Sequence, residues 1–465
     1  MKYTTTDPSL SQSKNAGLSS PALPNEIWWL ILHEATYLQG EADGDACPSD
    51  SIRHAVFFID LLCRWKEILP TRARITRVSR LWYDLTSPAL YRSFFHIEGM
   101  MTTKFVATLD RAPHLARYIK RLSLRWGCKT AVARRIADAC ANATIVSTEI
   151  HHISDGWEPQ LTGQTLTVLD VRYPANSTAN QFWYIPKALQ SLQQLKTLIL
   201  DKLPVHIPPR GWPSSCNNHV SLPQLTTLHL VFTWNATWGG NVRVDDLIYE
   251  WDLPALHTFN LEDAVGVHSP PAHWLEQVTS LGIPEPSSGG IDLSNHTLPA
   301  VTELSIFLLN TGGRSIISPL PWTQIRIVEL YDIEYFWSEM HGRWSAVVEN
   351  HLSHIIALLT DEARTPELRE VRTDLSDKAN YEITKVHVVA FTEWWDWLGD
   401  ALEERGVSLL GTVDGECMRM QRVSEMLVSR YGHMGLDGSL DETIGALPSW
   451  MLQEGDPAVP LSAYL

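Results

Sequence analysis

One spacing recurs through the middle of this chain: apolar-x-x-apolar-x-apolar, commonly with another apolar residue three positions upstream. It reads Leu192, Leu195, Leu198, Leu200, then Leu222, Leu225, Leu228, Leu230, then Leu253, Leu256, Phe259, Leu261. Leu298, Val301, Leu304, Ile306 and Trp322, Ile325, Val328, Leu330 continue it, and Ile119, Leu122, Leu124 and Leu166, Leu169, Val171 are partial copies. The second apolar positions of the full copies lie 30, 31, 45 and 24 residues apart. Side chains two apart in a strand share a face. A short strand with a return segment cannot bury that face alone, so copies must stack into one continuous core. The spacing predicts an array of parallel strands over about residues 115–335, with Leu200, Leu230, Leu261, Ile306 and Leu330 in one row. Unrelated strands of an ordinary α/β domain would carry a similar pattern.

The array resembles a leucine-rich repeat in an irregular form that lacks the usual Asn after the strand. That resemblance implies a solenoid whose concave side is lined by the residues between the core positions. Arg125, Arg172, His229, Asn260, Glu303 and Glu329 are the candidate substrate-binding residues there. The face would run from basic at its N-terminal end to acidic further on.

Ahead of the array stand two apolar helical patterns, Leu23-Pro24-Asn25-Glu26-Ile27-Trp28-Trp29-Leu30-Ile31 and Val78-Ser79-Arg80-Leu81-Trp82, the latter continuing to Leu90. Pro24 suits the first turn of a helix, where its missing N–H costs nothing. Together the two segments resemble an F-box, in the diverged form common in basidiomycete fungal proteins. The resemblance implies three short helices that dock a Skp-family adaptor and, through it, a cullin. On this chain it assigns adaptor binding to Leu23, Pro24, Ile27, Ile31, Val78, Trp82 and Leu90. One departure is large: some 35 residues, from Tyr37 to Thr71, intervene between the two halves, including a helical pattern over 52–69 that Pro70 is expected to end. The basic cluster Arg64, Lys66, Arg72, Arg74, Arg77, Arg80 would steer an acidic partner, or is simply a solvated helix face.

The expected fold class is therefore α/β: a small N-terminal all-helical F-box-like domain, then an irregular leucine-rich-repeat solenoid with a parallel sheet. The expected boundaries are a disordered leader at 1–20, the F-box-like domain at 21–98 with an insertion at about 38–70, repeats at 99–410, and a C-terminal helix and acidic tail at 411–465. Amphipathic helices are expected at 351–360, at 391–405 with Gly406 closing it, and at 417–431.

Composition narrows the function classes. Formal net charge is -16, against a general nucleic-acid binder. Residues 361–465 hold 20 acidic and 9 basic side chains, a balance of -11. The six cysteines are scattered with no C-x-x-C pair, which points to free thiols in a reducing compartment. No signal-peptide pattern and no run of 18 apolar residues occur, so cytoplasm and/or nucleus is the expected location and no membrane partner is expected. Of the 19 tryptophans, Trp234, Trp238 and Trp251 fall in one inter-repeat segment and either anchor a ligand or cap the core. His351 and His354 lack a third metal ligand at useful spacing, and Asp43-Gly44-Asp45 lacks the rest of a calcium loop. No nucleophile elbow, P-loop or dinucleotide fingerprint is present. The expectation is a non-catalytic subunit without cofactor or metal: the substrate-recognition adaptor of a Skp–cullin–F-box ubiquitin ligase, holding an unknown protein substrate. The alternative is a stand-alone repeat-based binding scaffold whose F-box-like helices are structural.

Overall fold

The structure, a computed structural model, describes residues 24–36, 54–96, 100–125, 127–154, 165–174, 179–207, 219–233, 242–262, 269–284, 298–307, 322–331, 359–374, 398–413 and 416–419.

Three helices come first: α1 (Asn25–Thr36), α2 (His54–Ile75) and α3 (Arg80–Leu90). Leu32 and Thr36, four apart, form the inward stripe of α1. Trp28 packs on Trp82 of α3 with ring centroids 5.2 Å apart. Ser79 caps α3, its Oγ accepting from the Trp82 N–H at 3.1 Å. The sequence expectation that Pro70 ends the second helix is not met: Pro70 lies inside α2, and the break falls at Thr76–Val78. A proline inside a helix removes one hydrogen bond and costs about 3 kcal/mol. Packing on both sides offsets that, because Trp65 and Arg72, seven residues apart on one face, are both buried. Arg72 Nε donates to the Thr36 carbonyl at 2.9 Å, so a cation satisfies the C-terminal end of α1.

Among the described residues a thirteen-stranded sheet follows. Its strands are β1 (Ser93–Phe95), β2 (Arg121–Ser123), β3 (Ile145–Glu149), β4 (Val168–Arg172), β5 (Thr197–Pro204), β7 (Thr227–Thr233), β9 (Thr258–Glu262), β10 (Ser280–Pro284), β11 (Glu303–Phe307), β12 (Ile327–Tyr331), β13 (Glu370–Asp374), β14 (Ser408–Val413) and β15 (Glu416–Arg419). The intervening β6 (His206–Ile207) and β8 (Val242–Arg243) form a separate antiparallel pair. Every neighbouring pair in the large sheet is parallel except β14–β15, and sequence order equals spatial order. Short α- and 3₁₀-helices connect the strands, among them α5 (Thr130–Ala139) and α6 (Ile150–Ser154).

The register aligns one apolar row across the sheet: Phe94, Leu122, Val146, Leu169, Leu198, Leu228, Phe259, Leu281, Leu304, Val328, Val371 and Leu409. A second row carries Leu200, Leu230 and Leu261, and continues as Ile283, Ile306 and Leu330. All these residues are buried and belong to one core. The array is longer than the sequence expectation. β10 explains the 45-residue step, since Leu275, Val278, Leu281 and Ile283 form an intact further copy. β1 pairs with β2, so it belongs to the sheet rather than to the helical unit. Residues 417–419 are strand, not the start of a helix. Gly406 follows a short helix at 398–403 with φ +72, where the left-handed conformation suits glycine. The expected helices at 351–360 and 417–431 lie largely outside the described residues.

A bulge interrupts the β5–β7 register between Leu200 and Leu203, and Lys202 there takes φ 63. Cys128 and Cys140 are buried free thiols under the sheet. Burial, and secondarily Glu149, pushes the Cys128 thiol up to about 11, and burial pushes Cys140 up to about 12. Two outcomes follow. Peptide-mapped alkylation by iodoacetamide at neutral pH should leave both unmodified in the native chain and modify both after denaturation. Unfolded thiols ionise near 9 while the folded ones stay neutral, so this contribution to stability is intact below about pH 9 and is lost progressively as pH rises toward 12.

Candidate functional site

Two surfaces collect the candidate residues. The first is the outer face of the helical unit. Ile27, Leu30 and Ile31 recur at helical spacing opposite the Leu32–Thr36 stripe and are 40%, 55% and 46% exposed. Val78, in the turn before α3, is 61% exposed, and Leu81 joins it. Exposed large apolar side chains of this kind make the outer face of the helical unit a candidate interaction surface. Pro24 is also exposed, whereas Trp82 and Leu90 are half-buried, and Trp82 serves the α1–α3 packing through Trp28. Leu23 lies outside the described residues. The flanking Arg74, Arg77 and Arg80 are exposed, while Arg72 of the same cluster is buried and serves α1. A basic run thus splits into rim cations and one structural guanidinium, a division that spacing alone did not reveal.

The second surface is the sheet face opposite the apolar rows. Alternation places Arg121, Ser123 and Arg125 there, with Ser147, Asp170, Ile199, His229, Asn260 and Ser305 at the register positions of Ser123 in later strands. These side chains are buried, flanked by neighbours one strand spacing away. Of the expected substrate-binding set, Arg125, His229 and Asn260 are buried, and Arg172, Glu303 and Glu329 are half-buried.

The expected drift from basic to acidic is neutralised locally. Arg125 pairs with Asp170 and reaches Asp201 at 3.7 Å, while Arg172 Nε lies 3.5 Å from Asp201. Arg125, two residues beyond β2, thus reaches past β3 to Asp170 on β4. His229 Nε2 meets Glu262 at 3.0 Å. Glu329 accepts from Ser305 Oγ at 3.2 Å and from Arg372 at 3.3 Å, and Arg372 also holds Glu370 at 2.8 Å. Strand alternation in the sequence already places Asp170 and Asp201 on this face, outside the candidate substrate-binding set, whereas Arg372, on β13, was missed altogether. Its position in the strand template was the available signal. Burial pushes the Asp201 carboxyl above its ordinary range, outweighing Arg125, which pulls it down. Desolvation therefore exceeds the Coulombic gain at this carboxylate. Burial pushes Arg372 down, but the hydrogen bonds it donates to Glu370, with the negative charges of Glu329 and Glu370, outweigh that and raise it above its ordinary value.

Trp251 is fully buried in the core, and Trp234 and Trp238 lie outside the described residues, as do His351 and His354. Among the described residues no group of three or more His, Cys, Asp or Glu is placed to hold a metal ion. No helix among them is long and apolar enough to cross a membrane.

No family model matches the chain, and no curated protein matches it. Among solved structures, the leucine-rich repeat-containing protein LegL7 from Legionella pneumophila is similar over 74% of this chain and 98% of its own, with 12% identity and a TM-score of 0.33. The chain is an α/β protein with a long parallel sheet and interspersed helices, loosely leucine-rich-repeat-like in its stacked apolar rows.

Proposed function

We infer that this chain is a non-catalytic protein-binding scaffold. Stacked strands present an extended, internally neutralised polar face, and a helical unit at one end presents an apolar one. Extended surfaces of this kind suit partners that contact several strands at once.

The exposed face at Ile27, Leu30, Ile31 and Val78 favours a finer reading. If the F-box-like helices were purely structural, those side chains would be packed against the repeats. Their exposure supports the adaptor reading, in which the helical unit docks a Skp-family adaptor, and through it a cullin, while the sheet holds a protein substrate. The chain would then act by raising the effective concentration of substrate at a ligase, with no chemistry of its own.

The test is a calorimetric titration of the intact chain with a purified fungal Skp-family adaptor. The expected result is saturable binding that Ile27→Asp abolishes, because a carboxylate in an apolar interface loses its water without gaining a partner. The same substitution should leave thermal stability within about 0.5 kcal/mol, since Ile27 is exposed in the free chain. Absence of binding by the unsubstituted chain would leave the stand-alone scaffold.

A further inference from the structure

A cleft of about 260 Å³ lies where the helical unit meets the start of the sheet. Its cationic lining comes from Arg92, Arg117 and Lys120. The chain brings these together through backbone geometry. The Lys120 N–H donates to the Arg92 carbonyl at 2.8 Å, and Arg117 sits one 3₁₀ turn earlier, in Pro113–Tyr118. Its aromatic lining comes from Trp29, stacked on His33 with centroids 4.9 Å apart, and from Tyr118, over which the Arg117 guanidinium lies at 4.7 Å. Among the described residues none of the lining side chains is a carboxylate. Among the described residues no ion pair engages Arg117 or Lys120. The floor adds nothing negative: the hydroxyls of Thr36 and Thr86 donate to helix carbonyls, and Arg72 covers the C-terminal carbonyl of α1.

We propose that this cleft binds a phosphate monoester carried on an aromatic side chain, a phosphotyrosine of a peptide segment. Arg117 and Lys120, with Arg92 beside them, match a dianion better than a single carboxylate, and arginine forks fit phosphate oxygens. The aromatic wall, with Leu32, Leu85 and Pro88 behind it, accepts a ring. The peptide source rests on the protein-binding reading above, whereas the anionic aromatic group rests on the cleft alone. Trp29 stands on the rim and also on the exposed side of α1, so a protein seated there would bring a side chain to the opening.

The test titrates the intact chain, at low salt, with N-acetyl-phosphotyrosine amide, its unphosphorylated counterpart, inorganic phosphate and adenosine monophosphate, read by calorimetry and by phosphorus NMR line width. The phosphotyrosine probe should bind most tightly, with removal of its phosphate weakening it at least about tenfold, as expected for lost charge-assisted hydrogen bonds. Arg117→Glu and Lys120→Gln should each weaken it about tenfold or more, while Lys196→Glu, an exposed cation elsewhere, should change it by less than about twofold. Arg117 is exposed, so its replacement keeps the fold, which the thermal midpoint verifies. Absence of binding, affinity unmoved by both cleft variants, or equal affinity for the unphosphorylated probe would overturn the site. Inorganic phosphate binding as tightly as phosphotyrosine would overturn the aromatic assignment, and tighter binding of adenosine monophosphate would overturn the peptide source. None of these outcomes depends on whether a Skp-family adaptor binds.

Discussion

Leu228→Ala should destabilise the chain by roughly 2–5 kcal/mol, the range for removing a buried leucine from a packed core. Leu228 is fully buried and occupies the middle of the longest apolar row, between Leu198 and Phe259. Strands on both sides would lose contacts, and the row cannot close over the cavity because backbone ladders fix the strand spacing. A denaturant titration monitored by circular dichroism measures the effect. Ile27→Ala, on the exposed face of α1, is the comparison and should shift stability by no more than about 0.5 kcal/mol. A Leu228→Ala loss as small as that of Ile27→Ala would mean that the row is not packed as described.

Asp170→Ala should be comparably severe, by a different mechanism. The carboxylate is 0% exposed and faces Arg125, whose side chain is 2% exposed. Breaking a buried pair from one side costs roughly 3–5 kcal/mol, because the remaining charge stays desolvated. Asp201, at 3.7 Å, is the farther of the two carboxylates and is itself penalised by burial, so it compensates only in part. Replacing both partners, as in Asp170→Leu with Arg125→Met, should recover most of the loss, since an apolar pair of similar volume needs no compensation. Urea midpoints of the single and double variants decide it. A single substitution that costs nothing would show that the pair is solvated.

Much of this was legible in the sequence. The template located β5, β7, β9, β11 and β12 and set their register, because a two-residue alternation of leucines admits only one buried face. It missed β13, where Thr365 and Thr373 replace two of the apolar positions in an otherwise intact copy with Leu368 and Val371. It missed β3, where Thr148 does the same, buried at 0% exposure. A hydroxyl that finds a partner, as Thr148 Oγ1 does at His152 Nδ1 (2.9 Å), is tolerated in a core, but an apolar filter rejects it. β10 was overlooked although its copy is complete, because the inter-repeat length was read as irregularity. The α2 boundary was misplaced because proline chemistry is local, whereas the burial of Trp65 and Arg72 that holds the helix together is not. At the candidate sites, spacing found the exposed α1 face but assigned the polar sheet residues to a ligand. Most of them are engaged with charged neighbours on other strands, a pairing that only register reveals.

Hydrogen–deuterium exchange of the intact chain, with and without a purified Skp-family adaptor, tests the central claim most directly. The account predicts slowed exchange in residues 25–36 and 76–85, which carry Ile27, Leu30, Ile31, Val78 and Leu81, with the strands of the sheet unchanged. Slowing confined to the sheet, or no slowing in the helical unit at saturating adaptor, would contradict it.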